Sequence, residues 1–319
     1  MKTRRLGRTG LEVTEIGFGA WAIGGTGYGP TRDEESLAAL ETAWQRGVNF
    51  FDTADTYGCG RSESLVGRFL RGKPRHQIFI ATKAGWDFYH AGGTRKNFHP
   101  SYVRFACEES LKRLGIDSID LYQLHNPSLD ILRAGESVGA LEALKREGKI
   151  RFIGVSAHTE EEAEAAIADG RVDALQLVFN LLDQQMGAKV FDLAFRSGIG
   201  IIVREPLAYG FLSGKYKPGH AFHKDDHRRR FTREVLETNL KKIEILKRIM
   251  TTERLPMAQA ALEYILQFPQ VATVIPGAKT AAQVTENTEA SLRPRLRSEE
   301  AYHLRDLYSR EPIFREHVF

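Results

Sequence analysis

The sequence of 319 residues contains only two cysteines, Cys59 and Cys107, and they lack the C-x-x-C spacing of zinc and redox motifs. Neither a disulfide framework nor a metal site is therefore expected. No apolar run approaches the ~18 residues that a membrane-spanning helix needs. The N-terminal MKTRRLGRTG is not followed by the apolar segment of a signal peptide. We expect a cytoplasmic protein without a membrane partner.

A strong excess of charge of one sign is also lacking. The formal net charge is +4, and 27% of the residues are charged and 42% hydrophobic, as in ordinary globular proteins. The basic residues are scattered, and their one cluster, residues 227–230, is too short to cover a phosphate backbone. Nucleic acid is therefore not an expected partner.

The dinucleotide-binding fingerprint G-x-G-x-x-G is missing as well. GTGYGP (residues 25–30) has the first two glycines without the third and precedes a polar stretch, so we interpret it as a flexible loop. This absence disfavours an open doubly wound sheet. No linker or low-complexity segment divides the chain, which is predicted to be a single domain over residues 1–319.

Short apolar runs alternate with longer amphipathic segments. The runs, which are candidate strands, cover residues 15–20, 48–51, 78–82, 119–124, 150–155, 174–179, 199–203 and 271–275. Helical patterns cover residues 33–46, 101–114, 136–147, 158–170, 234–251, 257–268 and 281–290. Several runs are apolar at consecutive positions, as in parallel strands covered on both faces. Eight strand–helix units in about the ~250 residues of a barrel predict an α/β protein, a (β/α)8 TIM barrel with a short N-terminal hairpin at RRLGRTGLEV and extra C-terminal helices.

Polar or ionisable residues follow the apolar runs at one end only. They are Asp52, Lys83, His125, Ser156, Asn180 and Arg204. Each alone has an ordinary interpretation: Asp52 could cap a turn, Lys83 could be a solvated strand end, and His125 could precede a turn. Their occurrence on successive strands favours an active site, because the C-terminal ends of strands converge at the mouth of a barrel.

Tyr57, in the loop after Asp52, adds a proton donor to this group. A phenol with a pKa near ~10 is a weak acid at neutral pH. An adjacent ammonium from Lys83 would lower that pKa, and Asp52 would hold the ammonium charged. A neutral His125 could donate a hydrogen bond to a carbonyl oxygen. Such a group protonates an oxyanion, so another molecule must supply the electrons.

At these four positions the sequence resembles the aldo-keto reductase superfamily, in its bacterial type. GVNFFDTADTYG resembles the family segment with the catalytic aspartate and tyrosine, IFIATK the lysine strand and DLYQLHNP the histidine strand. The resemblance covers nearly the whole chain. It implies that Asp52, Tyr57, Lys83 and His125 are catalytic, that Tyr57 is the general acid/base, and that hydride passes directly from NAD(P)H to an aldehyde or ketone.

The resemblance also implies a cofactor site. Its residues are Trp21, Asp52, Ser156, Gln176, Arg204, Pro206, Leu207, Gly210, Leu212, Ser213, Lys215, Gly277, Lys279, Gln283, Glu286 and Asn287. Lys279 would lie near the ribose 2′-phosphate. Ala157 and Gln283 stand where many members have asparagine and arginine, and Arg204 stands where many have an aromatic that stacks on the nicotinamide, a role that a planar guanidinium can also fill. NADPH/NADP+ is the expected cofactor, and NADH is possible.

The expected partner is a small-molecule carbonyl or alcohol. Its pocket is predicted to contain Trp21, Tyr57, Trp86, Phe88 and His125. The aromatic loop at residues 85–100 suits aryl aldehydes or ketones, and it suits a sugar equally. Residues 223–231, HKDDHRRRF, are interpreted as a solvated charged loop in preference to a clasp over the cofactor. Cys59 is interpreted as packed and inert.

Two other functions fit parts of the pattern. Potassium-channel β subunits share the fold and bind a nicotinamide cofactor as interaction partners, but the complete tetrad here favours turnover. A barrel lyase with Lys83 as a Schiff-base amine is disfavoured by Asp52, which would keep the lysine protonated. The chain is expected to be a monomer or a weak homo-oligomer.

Overall fold

The structure, a computed structural model, describes residues 1–90, 93–250, 255–292 and 296–316. Its centre is a sheet of eight parallel strands that are neighbours in chain order. These strands are β3 (Phe18–Gly19), β4 (Phe50–Asp52), β5 (Phe79–Ala84), β8 (Ile119–His125), β9 (Ile150–Ser156), β10 (Ala174–Val178), β11 (Gly200–Arg204) and β12 (Val271–Val274). Parallel bridges from Ile16 to Val274 and from Gly19 to Gly277 join the last strand to the first. The predicted (β/α)8 fold is confirmed.

Two antiparallel hairpins accompany the barrel. The first pairs β1 (Thr3–Arg5) with β2 (Glu12–Thr14), as predicted, and its turn is a 3₁₀ helix at Gly7–Thr9. The second pairs β6 (Trp86–Asp87) with β7 (Arg95–Lys96) beyond the end of β5. The aromatic loop at residues 85–100 thus contains a short ladder that its sequence did not predict; Ala91 and Gly92 of this loop lie outside the described residues.

Helices surround the sheet. They are α1 (Asp33–Gln45), α2 (Arg61–Leu70), α3 (Pro100–Leu114), α4 (Leu129–Ala134), α5 (Glu136–Arg146), α6 (Glu160–Ala168), α7 (Gly187–Arg196), α8 (Arg233–Ile249), α9 (Met257–Leu266), α10 (Ala281–Leu292) and α11 (Ser298–Arg310). Thr159 caps α6 in a capping box with Glu162, and Gly115 ends α3 in the left-handed conformation. The sequence patterns missed α2, α4 and α7. Thr251, the predicted end of α8, lies outside the described residues.

The buried apolar residues form two clusters. The larger one fills the layer between the sheet and the helices. The smaller one lies inside the barrel and consists of Leu6, Leu11, Val13, Phe50, Ala81, Leu121, Ala174, Ile202, Ala272 and Ile275. Three of its members belong to the N-terminal hairpin, so the hairpin closes the bottom of the barrel and leaves the C-terminal ends of the strands as the open end.

Candidate active site

Four side chains from different strands and loops meet at the open end. Lys83, fully buried at the end of β5, donates from Nζ to Asp52 Oδ1 at 2.5 Å and to the carbonyl oxygen of Thr53 at 2.7 Å. The same Nζ donates to the Tyr57 hydroxyl at 3.3 Å. The ring of His125 meets the ring of Tyr57 edge to face, with 5.8 Å between centroids. The structure therefore brings together the four residues that the sequence singled out.

Two glutamine side chains hold the far side of Asp52. Gln176 Nε2 donates to Asp52 Oδ2 at 2.7 Å and Gln123 Nε2 donates to the same oxygen at 3.1 Å. Gln123 was not predicted as a site residue. It lies two positions before His125 on β8, and the period of two that places alternate strand residues on one face could have found it. Both carboxylate oxygens of Asp52 are thus hydrogen-bonded, Oδ1 to Lys83 and Oδ2 to the two glutamines.

Burial and charge act in opposite directions on the proton-carrying groups. Burial lowers the pKa of Lys83, but Asp52 and Tyr57 outweigh it, and the net pKa is raised. Burial raises the pKa of Tyr57 and dominates the opposing effect of Lys83. The predicted lowering of the Tyr57 pKa by Lys83 is thus present as a contribution, while the net direction is upward, because the phenol lies in a largely desolvated site.

His125 is neutral at physiological pH. Burial, followed by the charges of Lys83 and Arg204, places the pKa of its imidazole well below the usual value. Its Nδ1 is buried and has no hydrogen-bond partner in the described part of the chain. The carbonyl oxygen of His125 accepts a hydrogen bond from Trp86 Nε1 at 3.1 Å. This contact fixes the second hairpin beside the open end.

The turn that carries Tyr57 has an unusual backbone. Gly58, Cys59 and Gly60 all have positive φ angles, of 63°, 51° and 89°. A Cβ atom on Gly58 would lie 2.1 Å from the carbonyl oxygen of Gly24, so glycine is required there by contact as well as by conformation. Cys59 is exposed. The interpretation of Cys59 as a packed residue is therefore wrong, because the turn directs its side chain outward.

The strand ends that follow His125 carry polar groups, as predicted. Ser156 Oγ donates to Asn126 Oδ1 at 3.1 Å, and Asn180 Nδ2 donates to the carbonyl oxygen of Glu205 at 3.1 Å. Arg204 forms an ion pair with Glu205. The Nε of Arg204 is buried and has no hydrogen-bond partner within the described ranges. Such an unpaired donor beside Tyr57 and His125 is an orphan that a bound ligand could satisfy.

The segment after β11 forms a tight backbone arc. Its residues from the predicted cofactor site are Pro206, Leu207, Gly210, Leu212, Ser213 and Lys215. Glu205, Ala208, Tyr209 and Gly210 have positive φ angles, and Ser213 Oγ donates to the carbonyl oxygen of Gly210 at 2.6 Å. Successive backbone amides in such conformations form anion-binding concavities. Leu212 is fully buried, so only its backbone is available to a ligand.

The segment after β12 lies beside the loop that follows β3, because the barrel closes between these two strands. Lys279 donates from Nζ to the carbonyl oxygens of Tyr28 and Gly29, the latter at 3.3 Å. Gln283 Oε1 accepts from the backbone N–H of Lys279 at 2.7 Å. Gly277 and Glu286 are exposed, whereas Asn287 is buried on α10. Lys279 is therefore tied to the loop at residues 25–30.

Residues 226–228 form a clasp with the loop at residues 25–30, so the interpretation of residues 223–231 as a solvated loop is wrong for these three. Residues 223–225, 229 and 230 are exposed, as that interpretation predicts. Asp226 bridges to Tyr28, and the backbone N–H of His227 donates to the carbonyl oxygen of Gly27 at 3.0 Å. Arg228 forms a 2.5 Å ion pair with Asp226 and lies 4.5 Å from the ring centroid of Tyr28. The loop at residues 25–30 is thus not free but is joined to the clasp. Within this segment the charges of Asp226 and Arg228 neutralise each other.

The predicted substrate-pocket aromatics divide into two groups. Trp21 lies with its ring centroid 6.4 Å from that of Tyr57 and 4.6 Å from that of His227. Trp21 therefore faces both the tetrad and the clasp. Trp86 also lies beside the tetrad, because its Nε1 donates to the carbonyl oxygen of His125. Phe88 instead stacks on Tyr89, with 4.3 Å between centroids, and its ring is 6.0 Å from the Arg113 guanidinium on α3. These contacts direct Phe88 toward α3 rather than toward the tetrad.

The model of the aldo/keto reductase family matches residues 15–309 of the sequence. The chain therefore belongs to the aldo/keto reductase family. Among its relatives, the NADP(+) aldo-keto reductase yakc of Schizosaccharomyces pombe is 34% identical over 298 residues, which are 89% of this chain and 85% of the relative. The NADH-specific methylglyoxal reductase of Escherichia coli is 32% identical over 308 residues, which are 91% of this chain and 93% of the relative.

A solved structure of the same family resembles the fold closely. The holo form of aldo-keto reductase AKR11C1 from Bacillus halodurans superposes with a TM-score of 0.82 and 31% identity, covering 96% of each chain. Membership of the aldo/keto reductase family places the chain among oxidoreductases that act on carbonyls. Within the described ranges, every helix is too short or too polar to span a bilayer.

Proposed function

We propose that this aldo/keto reductase reduces aldehydes or ketones to alcohols with Tyr57 as the general acid. The observation that carries the proposal is the position of Lys83 Nζ, which contacts both the Asp52 carboxylate and the Tyr57 hydroxyl. An ammonium held by a carboxylate stabilises the phenolate that remains after proton transfer. The contact between Lys83 and Tyr57 supports this role, because the conjugate base of Tyr57 would have a charged partner.

The other residues orient the carbonyl and keep the charges in place. A neutral His125 can donate a hydrogen bond to the carbonyl oxygen, where negative charge develops during reduction. Gln123 and Gln176 hold Asp52, and Asp52 keeps Lys83 protonated, which disfavours Schiff-base chemistry at this amine. The reverse reaction uses the same groups, with Tyr57 accepting the proton of the alcohol.

The residues present fit a nicotinamide cofactor. Arg204 has a buried Nε without a partner among the described residues, and the arc at residues 205–210, with its positive φ angles, would lie along the pyrophosphate. When bound, the reduced nicotinamide supplies the hydride. Ser156, Asn180 and Gln176 would bind its carboxamide, and Lys279 would lie by the ribose 2′-phosphate. We infer that NADPH is preferred over NADH, since Lys279 is a cation near the clasp, although Gln283 cannot form a bidentate pair with phosphate.

The test is Tyr57→Phe, followed by nicotinamide absorbance with an aromatic aldehyde. General acid–base catalysis contributes typically ~10²–10⁴-fold, so the rate should fall by that factor. Cofactor affinity should remain within about threefold, because the hydroxyl is assigned to the carbonyl. Tyr302→Phe, on an exposed side chain of α11, is the matched control and should leave the rate unchanged.

Two results would contradict the proposal. If Tyr57→Phe retained a rate close to that of the wild type, another group would be the acid. If the wild-type protein bound NADPH and NADH without reducing any aldehyde or ketone, an interaction role like that of the potassium-channel β subunits would replace catalysis.

A further inference from the structure

The second hairpin presents two opposite faces beside the active site. In its antiparallel ladder Trp86 is paired with Lys96 and Asp87 with Arg95. Residues directly opposite each other in such a ladder share a face, and adjacent pairs lie on opposite faces. The hairpin therefore directs Trp86 and Lys96 to one side and Asp87 and Arg95 to the other.

The Asp87 face is neutralised within the hairpin. Asp87 is 1% exposed, accepts a hydrogen bond from Asn97 at 3.2 Å, and has the Arg95 guanidinium 3.7 Å from its carboxylate. The charge of Arg95 thus has a carboxylate partner on its own hairpin. This face has no free charge to offer to a ligand.

The Trp86 face is different, because it adjoins the tetrad and carries an unpaired cation. Trp86 is anchored to the His125 carbonyl oxygen, and Lys96 Nζ lies 5.5 Å from the Trp86 ring centroid. Lys96 is exposed and forms no ion pair within the described ranges. Its charge contributes to the lowered pKa of both His125 and His158. Trp86 thus contacts both Lys96, through its ring, and the backbone of His125, through its N–H.

His158 supplies a second donor on the same rim. Its Nδ1 lies 3.1 Å from Arg204 Nη2. A guanidinium only donates hydrogen bonds, so Nδ1 must accept, and in the neutral ring the proton is then on Nε2. The charge of Arg204 is already paired with Glu205. Among the described residues on this part of the rim, Lys96 is therefore a cation without an ion-pair partner, with the His158 N–H as a neutral donor.

We propose that Lys96 binds an anionic group, a carboxylate or a phosphate, at the end of the substrate remote from its carbonyl. This inference rests on the proposed function, because that function places the carbonyl at Tyr57 and His125. The Trp86 ring packs against the body of the substrate between the two ends, and His158 donates a second hydrogen bond to the anion. The substrate class is thus narrowed from aldehydes and ketones in general to those that carry an acidic group.

The test compares two aldehydes that differ in charge but hardly in shape, 4-carboxybenzaldehyde and its neutral methyl ester. Charged hydrogen bonds contribute enough to alter kcat/KM about tenfold. We expect the wild type to prefer the acid. Lys96→Met should lower kcat/KM for the acid about tenfold, mainly through KM, and leave the ester unchanged. Lys96→Glu should favour the ester. 4-Formylphenyl phosphate, assayed in parallel, shows whether phosphate or carboxylate is the better anion.

Arg95→Gln is the matched control, because it removes one positive charge from the opposite face of the same hairpin. It should leave the preference for the acid unchanged. An equal loss in Arg95→Gln and Lys96→Met would overturn the inference in favour of a general electrostatic field. Terephthalate, which has no reducible carbonyl, tests Lys96 without turnover: equal dissociation constants for wild type and Lys96→Met would overturn it. Failure of the wild type to reduce any of the aldehydes would instead overturn the proposed function.

Discussion

Asp52 and Asp55 lie three residues apart, yet their environments are opposite. The Asp52 carboxylate accepts hydrogen bonds from Lys83, Gln123 and Gln176. Asp55 is fully buried, and neither of its carboxylate oxygens has a hydrogen-bond partner among the described residues. Burial, and then the charge of Glu63, raise its pKa well above the usual value. Burial without hydrogen-bond partners therefore favours the protonated form of Asp55.

This difference predicts how stability depends on pH. Because the pKa of Asp55 is raised in the folded state, its contribution is fully favourable below the unfolded pKa of ~3.9 and is lost as the pH rises. Asp55→Asn should therefore be more stable than the wild type at pH 8, and the difference should shrink as the pH falls toward ~4. Urea denaturation at several pH values measures it.

Asp33→Asn provides the control of opposite sign. The hydrogen bond from Arg61 is the largest effect on the pKa of Asp33 and lowers it. Burial opposes this effect, and the hydrogen bond from Arg68 adds to it, so the net pKa is lowered. Its contribution is present above the unfolded pKa and is lost as the pH falls. Asp33→Asn should thus destabilise at neutral pH. A stability difference for Asp55→Asn that does not change with pH would show that Asp55 is ionised in the folded protein.

At the scale of elements, strands were predictable and the clasp was not. Runs such as residues 119–124 and 150–155 are largely apolar and are followed by a polar residue, His125 or Ser156. The local pattern therefore predicts both the length of each strand and the site residue at its end. The clasp has no such signal. Arg228 is neutralised by Asp226 two residues away but is covered by Tyr28, which lies on a distant loop. Hydropathy alone predicts that such residues are exposed to solvent, because a contact between distant segments produces no periodic pattern in the sequence.

Of the three missed helices, α2 had a usable signal. In α2 the buried residues include Leu65, Val66, Phe69 and Leu70, which is the spacing of one helical face. The helix begins directly after the turn that carries Tyr57. Tyr57, by contrast, was predictable as a site residue from that same turn, because a phenol directly after an acidic strand end is chemically distinctive.

The clasp and the segment after β12 are linked through Lys279, and this link should govern the choice of cofactor. Lys279→Ala removes both the hydrogen bonds to the loop at residues 25–30 and the cation proposed for the 2′-phosphate. We expect its affinity for NADPH to fall about tenfold, as for loss of a charged hydrogen bond, with a much smaller change for NADH. Fluorescence titration with both cofactors measures the two dissociation constants.

Lys217→Ala, which removes an exposed lysine after the arc, serves as the control and should leave the NADPH-to-NADH ratio unchanged. An equal loss of affinity for both cofactors in Lys279→Ala would mean that Lys279 acts only by holding the clasp. An unchanged ratio and unchanged affinities would remove Lys279 from the cofactor site.

At the scale of the whole molecule, chemistry and stability occupy opposite ends of the barrel. The tetrad lies at the C-terminal ends of the strands, whereas the N-terminal hairpin closes the other end. Arg4 donates to the carbonyl oxygens of Leu266, Phe268 and Val271 at 2.7, 3.0 and 3.0 Å. Arg8 donates to the carbonyl oxygen of Val172 at 2.6 Å. These bonds tie the hairpin to segments more than 100 residues distant, as the cited pairs are 164 to 267 positions apart.

This arrangement predicts that a substitution in the hairpin lowers stability without impairing catalysis. Leu6 is fully buried against the interior of the barrel and its backbone adjoins Gly200. Leu6→Ala should lower the free energy of unfolding by ~2–5 kcal/mol, as for other buried leucines. Leu292→Ala, at a 40% exposed position, should change it by less than about 0.5 kcal/mol. Below the melting temperature, kcat of Leu6→Ala should stay within about twofold of the wild type, because the tetrad is held by its own strands. A loss of kcat in proportion to the loss of stability would show that the bottom of the barrel positions the site, and the two ends would then be coupled rather than separate.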